Sequence, residues 1–369
     1  MRFLIVAFHP RSMTPYAKQY EDAIIKAGYD YDILFWDRFS NAPLEKKRNE
    51  FIFHRICTLG GNRLKNLYPF YLFRKILKKL IANGKYNKII ILNTMPGFLL
   101  HDILLKQYCR KYILDIRDYT YEKYGFYLRT VHQLIDNSFF TAISSRGFKR
   151  FLGDKDKMVV NHNISNFENI EGIPSLTKDK KVINIGFVGA IRYFDENIAL
   201  IQNLPPSNYH FVYHGLEIAD CHLEEFCKNK NLSNVEFAGA FKNEEKHTLY
   251  KEIDIINSLY GNLTMEVQSA LPNRLYDALI FKKPIITTEG TYLTEVVEKY
   301  FSNLGNTKFL FKIPYEKNKK ILFREENAIK EYYTPQKQEL VIKSRVCSFN
   351  MGMYKQALLH AFSNENYNN

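Results

Sequence analysis

Short apolar runs alternate with segments of helical periodicity from the first residues of the chain. Residues 2–8, RFLIVAF, form a continuous apolar run of the kind that makes a buried parallel strand. A helical segment that ends on Gly28 follows, and residues 29–37 alternate like a second strand. Further strands are predicted at 87–94, 112–118, 138–145 and 157–163. Strands that alternate with helices predict a parallel sheet covered on both faces.

The periodicity fails in one place and then resumes. From 164 to 181 the chain is polar and carries Gly, Pro and Ser, which is typical of a linker. We therefore predict an α/β fold of two Rossmann-like, doubly wound domains that face a cleft, at 1–165 and 182–349, with a linker at 166–181. An amphipathic segment at about 350–369 has no strand after it and is expected to pack back on the first domain.

Length and composition agree with this division. A chain of 369 residues exceeds one ordinary core, and a hydrophobic content of 46% is that of a globular protein. Five scattered cysteines without a C-x-x-C pair favour a reducing cytoplasm over a disulfide framework. The first apolar run is too short for a signal peptide, and no run approaches the roughly 18 apolar residues of a membrane helix. We expect a cytoplasmic protein, free or peripheral on the inner face of the plasma membrane.

The net charge of +13 is concentrated in one region. Between Lys46 and Lys85 eleven basic residues meet a single acid, Glu50. Helically spaced apolar residues there alternate with four cations: Arg74, Lys75, Lys78 and Lys79. A basic amphipathic helix beside Tyr and Phe residues suits an anionic membrane surface, whereas a core-packing helix with a solvated basic face is the alternative. A nucleic-acid partner is disfavoured because no base-reading motif accompanies the charge.

Several common site motifs are missing from the sequence. Residues 8–13, FHPRSM, contain no glycine, so the first turn lacks the G-x-G-x-x-G of dinucleotide enzymes. There is no P-loop, no H-E-x-x-H and no G-x-S-x-G elbow. No cluster of His, Asp, Glu or Cys has metal-ligand spacing, so we expect neither a metal ion nor a cofactor.

Three stretches of the second half carry the informative residues. The first, at Gly189 to Arg192, follows an apolar strand that ends on glycine. The second, from Phe237 to Ile255, reads FAGAFKNEEKHTLYKEIDI, and the third, from Pro272 to Ile286, begins PNRLYD and ends in PII. In this order they resemble the C-terminal domain of GT-B fold glycosyltransferases similar to glycosyltransferase family 4. ILDIRDYTYE and DNSFFTAISSRGFKRFL in the first half fit the same resemblance.

The resemblance implies roles for individual residues. Asp277 would bind the ribose hydroxyls of a nucleotide, because a carboxylate accepts two short hydrogen bonds from a vicinal diol. Arg192 and Arg274 would face the diphosphate near Gly189. Asp118 would position the acceptor hydroxyl or act as base; alternatively it caps a helix. Further candidates near the donor or the acceptor are Thr288, Glu289, Glu266, Arg11, Ser12, Met13 and Arg117.

The implied reaction moves a sugar from a nucleotide diphosphate sugar to a glycan or a polyprenol-linked oligosaccharide in the synthesis of bacterial capsule, O-antigen or exopolysaccharide. The resemblance implies retention and metal independence. Retaining members often carry a second Glu eight residues before the ribose acid, and Ser269 holds that position here. Two other interpretations stay open: a non-catalytic nucleotide-sugar or glycan-binding partner of a transferase, and a nucleotide-sugar epimerase on the same fold.

Overall fold

A computed structural model of the chain describes residues 1–39, 47–57, 67–163, 181–218, 221–281, 283–301 and 310–313. These residues fall into two compact units, one containing Met1–His162 and the other lying within Asn163–Phe349. All but the last residue of the linker predicted at 166–181, and the whole helix predicted at about 350–369, lie outside the described residues. The domain boundaries derived from the sequence therefore remain predictions.

Seven parallel strands form the sheet of the first unit. They are Arg2–Ala7 (β1), Asp30–Asp37 (β2), Glu50–His54 (β3), Lys88–Leu92 (β4), Tyr112–Ile116 (β5), Phe140–Ile143 (β6) and Met158–Val160 (β7). Their order is β3-β2-β1-β4-β5-β6-β7. The inner strand β1 is buried from Phe3 to Ala7, as a strand covered on both faces requires. The edge strand β3 was not predicted from the sequence.

Helices cover this sheet. They are Ala17–Lys26 (α1), Leu67–Gly84 (α2), Thr94–Leu99 (α3), His101–Gln107 (α4), Gly125–Asn137 (α5) and Lys149–Leu152 (α6). In α2 the buried residues Pro69, Phe73, Leu77 and Ile81 recur every four positions and give one packing face. Phe73 stacks on Trp36 with ring centroids 4.8 Å apart. This apolar face fixes the orientation of the helix and directs its lysines outward.

The second unit repeats the plan with six parallel strands. They are Ile183–Val188 (β8), Tyr209–His214 (β9), Val235–Gly239 (β10), Ile255–Asn257 (β11), Ile285–Thr288 (β12) and Leu310–Ile313 (β13). Their order is β10-β9-β8-β11-β12-β13. The helices are Phe194–Asn203 (α7), Leu223–Asn229 (α8), Lys246–Glu252 (α9), Met265–Ser269 (α10), Asn273–Ile280 (α11) and Tyr292–Phe301 (α12).

Both sheets reverse their winding direction beside their first strand. In the first unit the chain runs outward from β1 to β3 and then returns to place β4 on the other side of β1. In the second unit β11 takes the same place beside β8. Open α/β sheets bind ligands beyond the carboxyl ends of the strands at such a reversal. Two parallel sheets wound in this way confirm the predicted α/β class.

Candidate functional site

Arg274 lies at the carboxyl end of β8, in the first turn of α11, and is only 5% exposed. Its guanidinium lies 3.6 Å from the centroid of the Phe187 ring and 4.7 Å from that of Tyr260. The Nε and Nη1 atoms are buried and have no hydrogen-bond partner. A guanidinium that packs against aromatic rings and has N–H donors without acceptors can bind an anion.

Burial dominates the electrostatics of this arginine. It lowers the pKa of Arg274 to about 10, and the nearby Tyr250 and Asp277 oppose that shift without cancelling it. Arg192 adds to the lowering because it is a second cation on the same side. Keeping Arg274 charged in this buried position therefore costs free energy. An anion bound beside the guanidinium would offset that cost.

Gly189 leaves the space that such an anion needs. A Cβ at this position would lie 3.9 Å from Nη1 of Arg274, and the backbone φ of +137° favours glycine. Gly215, at the end of β9, is equally constrained, since its Cβ would lie 1.9 Å from the carbonyl oxygen of Gly189. The Gly189 N–H donates to the His214 carbonyl, so this glycine contributes room and not a donor.

Arg192 and Glu266 lie at the rim of the space beside Gly189 and the Arg274 guanidinium. Their side chains are about half exposed, and Nη1 of Arg192 lies 3.6 Å from Oε1 of Glu266. The next residue, Tyr193, packs edge-on against Tyr260 with centroids 4.9 Å apart, which links this rim to the ring that contacts Arg274. The structure therefore brings Gly189, Arg192, Glu266 and Arg274 together, and their roles in binding a donor stay predictions.

Asp277 is 2% exposed and is held in an internal ion pair. Lys246 Nζ donates to its Oδ2 at 2.9 Å and to its Oδ1 at 3.2 Å, while the Tyr250 hydroxyl donates to Oδ2 at 2.9 Å. Both oxygens are thus engaged in the absence of a ligand, although a carboxylate offers about four acceptor sites. The ribose-binding role of Asp277 stays a prediction.

Thr288 and Glu289 end β12 at the same edge of the sheet. Thr288 is buried, and its Oγ1 has no hydrogen-bond partner. Glu289 is partly exposed and approaches Lys312 Nζ at 3.4 Å. Ser269, which holds the position of the second family Glu, is buried and donates its hydroxyl to the Met265 carbonyl within α10. No carboxylate substitutes for that Glu at this position.

Asp118 follows β5 in the first unit and accepts a hydrogen bond from Asn93 Nδ2 at 3.2 Å. Asn93 ends β4 with φ 83° and ψ 160°, a conformation that costs a residue with a Cβ of order 1–3 kcal/mol. Its Oδ1 is buried without a partner. Strained polar residues of this kind concentrate at functional sites, which supports the prediction that Asp118 meets the acceptor.

Arg117 is committed to the interior of the first unit. Its Nε lies 2.6 Å from Oδ1 of the buried Asp115, and its Nη1 donates to the Asn161 carbonyl at 2.9 Å. The guanidinium also lies 4.6 Å from the centroid of the Tyr16 ring. These contacts give Arg117 a structural role in joining β5 to the end of β7.

The first loop of the chain is organised by Arg11. This arginine forms ion pairs with Glu21 of α1 and Glu50 of β3, and it opens a short 3-10 turn that includes Ser12 and Met13. The Met13 side chain is 49% exposed. Arg11 therefore ties the loop to its own unit, and the donor-side role suggested for this loop stays a prediction.

The four cations of the basic helix α2 fall into two groups, one engaged in ion pairs and one exposed to solvent. Arg74 and Lys78 both bind Oδ2 of Asp102 on α4, at 2.8 Å and 3.2 Å. Lys75 and Lys79 lie on the exposed side of the helix. They are accompanied there by two tyrosines, Tyr68 and Tyr71, that are 58% and 59% exposed.

Some residues of the site could not be assigned from the sequence. Lys246 and Tyr250 lie four residues apart on α9 and both contact Asp277 on α11. Their four-residue spacing, which places them on one face of a helix, can be read from the sequence. Their partner Asp277, however, lies about thirty residues further along the chain. Asn93 could not be singled out from the sequence, because the feature that distinguishes it is its backbone conformation.

No group of three or more His, Cys, Asp or Glu side chains is arranged to hold a metal ion in the part of the chain that the structure describes. None of the helices within the described ranges is long and apolar enough to cross a membrane.

Comparison with known proteins now adds to this geometry. No family model matches the sequence, and no curated protein matches it. Solved structures do. Sucrose-phosphate synthase from Thermosynechococcus elongatus is 14% identical with a TM-score of 0.69, and 98% of this chain and 100% of that chain are covered. The chain has the GT-B fold.

Other neighbours support the same assignment. HepE from Anabaena, solved in complex with UDP and glucose, is 13% identical with a TM-score of 0.62, covering 96% of this chain and 99% of that chain. The lipopolysaccharide outer core galactosyltransferase WaaB is 11% identical with a TM-score of 0.59, covering 98% of this chain and 99% of the other. These neighbours are GT-B glycosyltransferases, so the predicted resemblance is confirmed for the fold.

Proposed function

We propose that the protein is a glycosyltransferase that takes its sugar from a nucleotide diphosphate sugar bound by the second unit. The observation that carries the proposal is Arg274, a buried cation with two uncommitted nitrogens beside a glycine at the sheet reversal. HepE, a neighbour with the same fold, has been solved with UDP, with UDP and glucose, and with UDP-glucose. We therefore choose UDP as the first nucleotide to test.

The chemistry assigned to the arginines is stabilisation of the leaving group. When the bond between the sugar C1 and the diphosphate oxygen breaks, the electron pair stays on that oxygen and negative charge develops there. Arg274 is fixed between Phe187 and Tyr260, so it would meet this charge without reorganising, in surroundings from which water is excluded. Arg192 would contribute a second guanidinium from the rim.

Asp277 is proposed to bind the ribose. A carboxylate that already accepts from Lys246 and Tyr250 can accept a further hydroxyl, because each oxygen has two lone pairs. Lys246 donates to both carboxylate oxygens and so fixes their orientation, which makes it a positioning residue. The buried ion pair thus prepares an acceptor of fixed direction for the nucleotide.

The acceptor is assigned to the first unit. Its hydroxyl oxygen forms the new bond to C1 and gives up a proton, for which Asp118 is the proposed base. A glycan or polyprenol-linked oligosaccharide of a bacterial surface polysaccharide suits the basic, tyrosine-bearing face of α2, which would lie against anionic lipid. Retention of configuration and independence of a metal ion are part of this proposal.

The test is a thermal-shift panel of UDP, GDP, CDP, ADP and dTDP. It is run on the wild type, on Asp277→Asn and on Asp254→Asn. Asp254 is a matched control because it is a buried acid of the same unit that accepts from the Asn184 N–H at the amino end of β8, away from the site.

We expect one diphosphate to stabilise the wild type and Asp254→Asn but to stabilise Asp277→Asn less. A screen for hydrolysis and transfer would then use sugars of that nucleotide. If no diphosphate raises the melting temperature of the wild type at millimolar concentration, the proposed donor site is wrong.

A second function, non-catalytic donor binding, is favoured by one observation. The position of the second family Glu is Ser269, whose hydroxyl is buried within α10. A protein of this kind would respond to the nucleotide panel and yet show neither hydrolysis nor transfer with any sugar of that nucleotide.

A further inference from the structure

Arg38 is a second buried cation without a counter-ion, and it belongs to the first unit. It follows directly after β2 and is 4% exposed. Its guanidinium lies 4.7 Å from the centroid of Phe8, 5.0 Å from that of Trp36 and 5.9 Å from that of Phe39. Nε has no hydrogen-bond partner, and Nη2 reaches only the Cys57 sulfur at 3.5 Å.

His9 lies beside this arginine at the end of β1. Its ring is parallel to that of Phe39, with centroids 6.4 Å apart and an interplanar angle of 5°. Burial, and secondarily the charge of Arg38, lower the pKa of His9 to about 4, so the ring is neutral near pH 7. Its Nδ1 is buried without a partner. Phe39 is 40% exposed, so solvent reaches this end of the sheet.

Two other arginines of this unit have acids beside them. Arg117 is paired with Asp115, and Arg11 with Glu21 and Glu50. Among the residues that the structure describes, no carboxylate lies within ion-pair distance of Arg38. A buried charge without a partner is costly, and the guanidinium fork matches the oxygens of a phosphate or a carboxylate.

We propose that Arg38 and His9 form an oxyanion subsite of the first unit. Arg38 supplies charge and a forked pair of donors, and neutral His9 supplies one ring N–H. The ligand is a phosphate or carboxylate group, and we assign it to the acceptor, an assignment that rests on the proposed function. The binding of the anion itself does not rest on it, because β1 and β2 end at an edge where open α/β sheets bind ligands.

The chain contains a built-in probe for this subsite. Trp36 is the single tryptophan of the sequence, and its ring lies against the Arg38 guanidinium. The experiment titrates the full-length protein with pyrophosphate, as a stand-in for a lipid diphosphate, and with glucuronate, as a stand-in for an acidic sugar. Tryptophan emission is recorded at constant ionic strength. Sodium chloride provides the blank.

We expect a saturable change in emission with one of the two anions, and the anion that gives it identifies the source of the group. Arg38→Gln should weaken the apparent affinity at least tenfold. Arg55→Gln is the matched control, since Arg55 is an exposed arginine of the same unit, and it should leave the titration unchanged. No saturable change in the wild type, or an equal change in Arg38→Gln, would overturn the proposal.

A second variant keeps the proposal testable if Arg38→Gln does not fold. Cys57→Asp places a carboxylate where the sulfur now lies, 3.5 Å from Nη2 of Arg38. We expect this variant to melt at a higher temperature than Cys57→Asn and to lose its response to anions. A lower melting temperature than that of Cys57→Asn would mean that Arg38 needs no anion. If no diphosphate stabilised the protein in the thermal-shift panel, the anion experiments could still be interpreted. The panel tests the second unit, whereas the anion experiments test the first.

Discussion

Replacing Arg274 by methionine removes the charge of the candidate donor site and keeps an unbranched side chain between Phe187 and Tyr260. In most proteins the loss of one partner from a buried ion pair costs about 3–5 kcal/mol. Arg274 is different, because its Nε and Nη1 have no hydrogen-bond partner. We therefore expect Arg274→Met to be nearly as stable as the wild type, or more stable, when no ligand is present.

The magnitude follows from two opposing contributions. Burial lowers the pKa of Arg274 to about 10, which corresponds to a penalty of roughly 3 kcal/mol for the charged form. The folded pKa lies below the unfolded value, so the penalty applies in full below pH 10 and disappears only as the pH rises from there to the pKa of an unfolded arginine. Contacts with two rings return roughly 1–2 kcal/mol each.

These contributions nearly cancel, so the melting temperature of the variant should stay within about 4 °C of the wild-type value or rise. The stabilisation by bound ligand, in contrast, should be much smaller in the variant than in the wild type. At a concentration a hundred times the Kd, a diphosphate stabilises its protein by about 2.7 kcal/mol, and Arg274→Met should lose most of that response.

Differential scanning calorimetry with and without the diphosphate measures both quantities on one sample. Arg55→Met is the control for loss of an arginine elsewhere. If Arg274→Met without ligand were less stable than the wild type by 3 kcal/mol or more, Arg274 would be a structural cation. The reasoning from its uncommitted nitrogens would then be refuted.

Three further predictions follow from the described contacts. Lys246→Met leaves Asp277 buried without its cation and should lose about 3–5 kcal/mol in denaturant unfolding, and Lys246→Met combined with Asp277→Asn should recover part of that loss. Asn93→Gly should be more stable than Asn93→Ala by about 1–2 kcal/mol in the same assay, because only glycine adopts φ 83° without strain; equal stabilities would contradict this. Reversing the charge of Lys75 and Lys79 to Glu should cost about 1 kcal/mol or more per lysine in binding to anionic vesicles, measured by flotation, and Lys228→Glu on α8 should not.

The fold could be predicted from the sequence where apolar runs are long. β1, β4 and β5 are almost wholly apolar and were found, whereas the edge strand β3 reads EFIFH and is only half buried. A polar residue at each end of so short a strand hides the alternation that would indicate it. Its place is fixed by pairing with β2, from Ile33 opposite Glu50 to Asp37 opposite His54.

The site was predictable only where its residues form local patterns. Arg117 pairs with Asp115 only two residues earlier, a contact within one local segment. Gly189 and Arg274 followed from motifs. The pairing of Lys246 with Asp277 depends on how α9 packs against α11, and the rings around Arg38 come from β2 and from the residues just after β1 and β2. Contacts between distant segments are set by packing, and no pattern within one segment reveals them.

The position of β1 between two other strands of its sheet also bears on how the protein is made. Phe3 pairs with Tyr31 on one side and with Lys88 on the other. During synthesis β1 leaves the ribosome well before β4, so its second neighbour does not exist until the chain has grown past β4. Until then one edge of the strand and its apolar side chains stay uncovered, a condition in which nascent chains aggregate. Slower translation, lower growth temperature or additional chaperone should therefore raise the yield of folded protein more than stabilising the finished fold would.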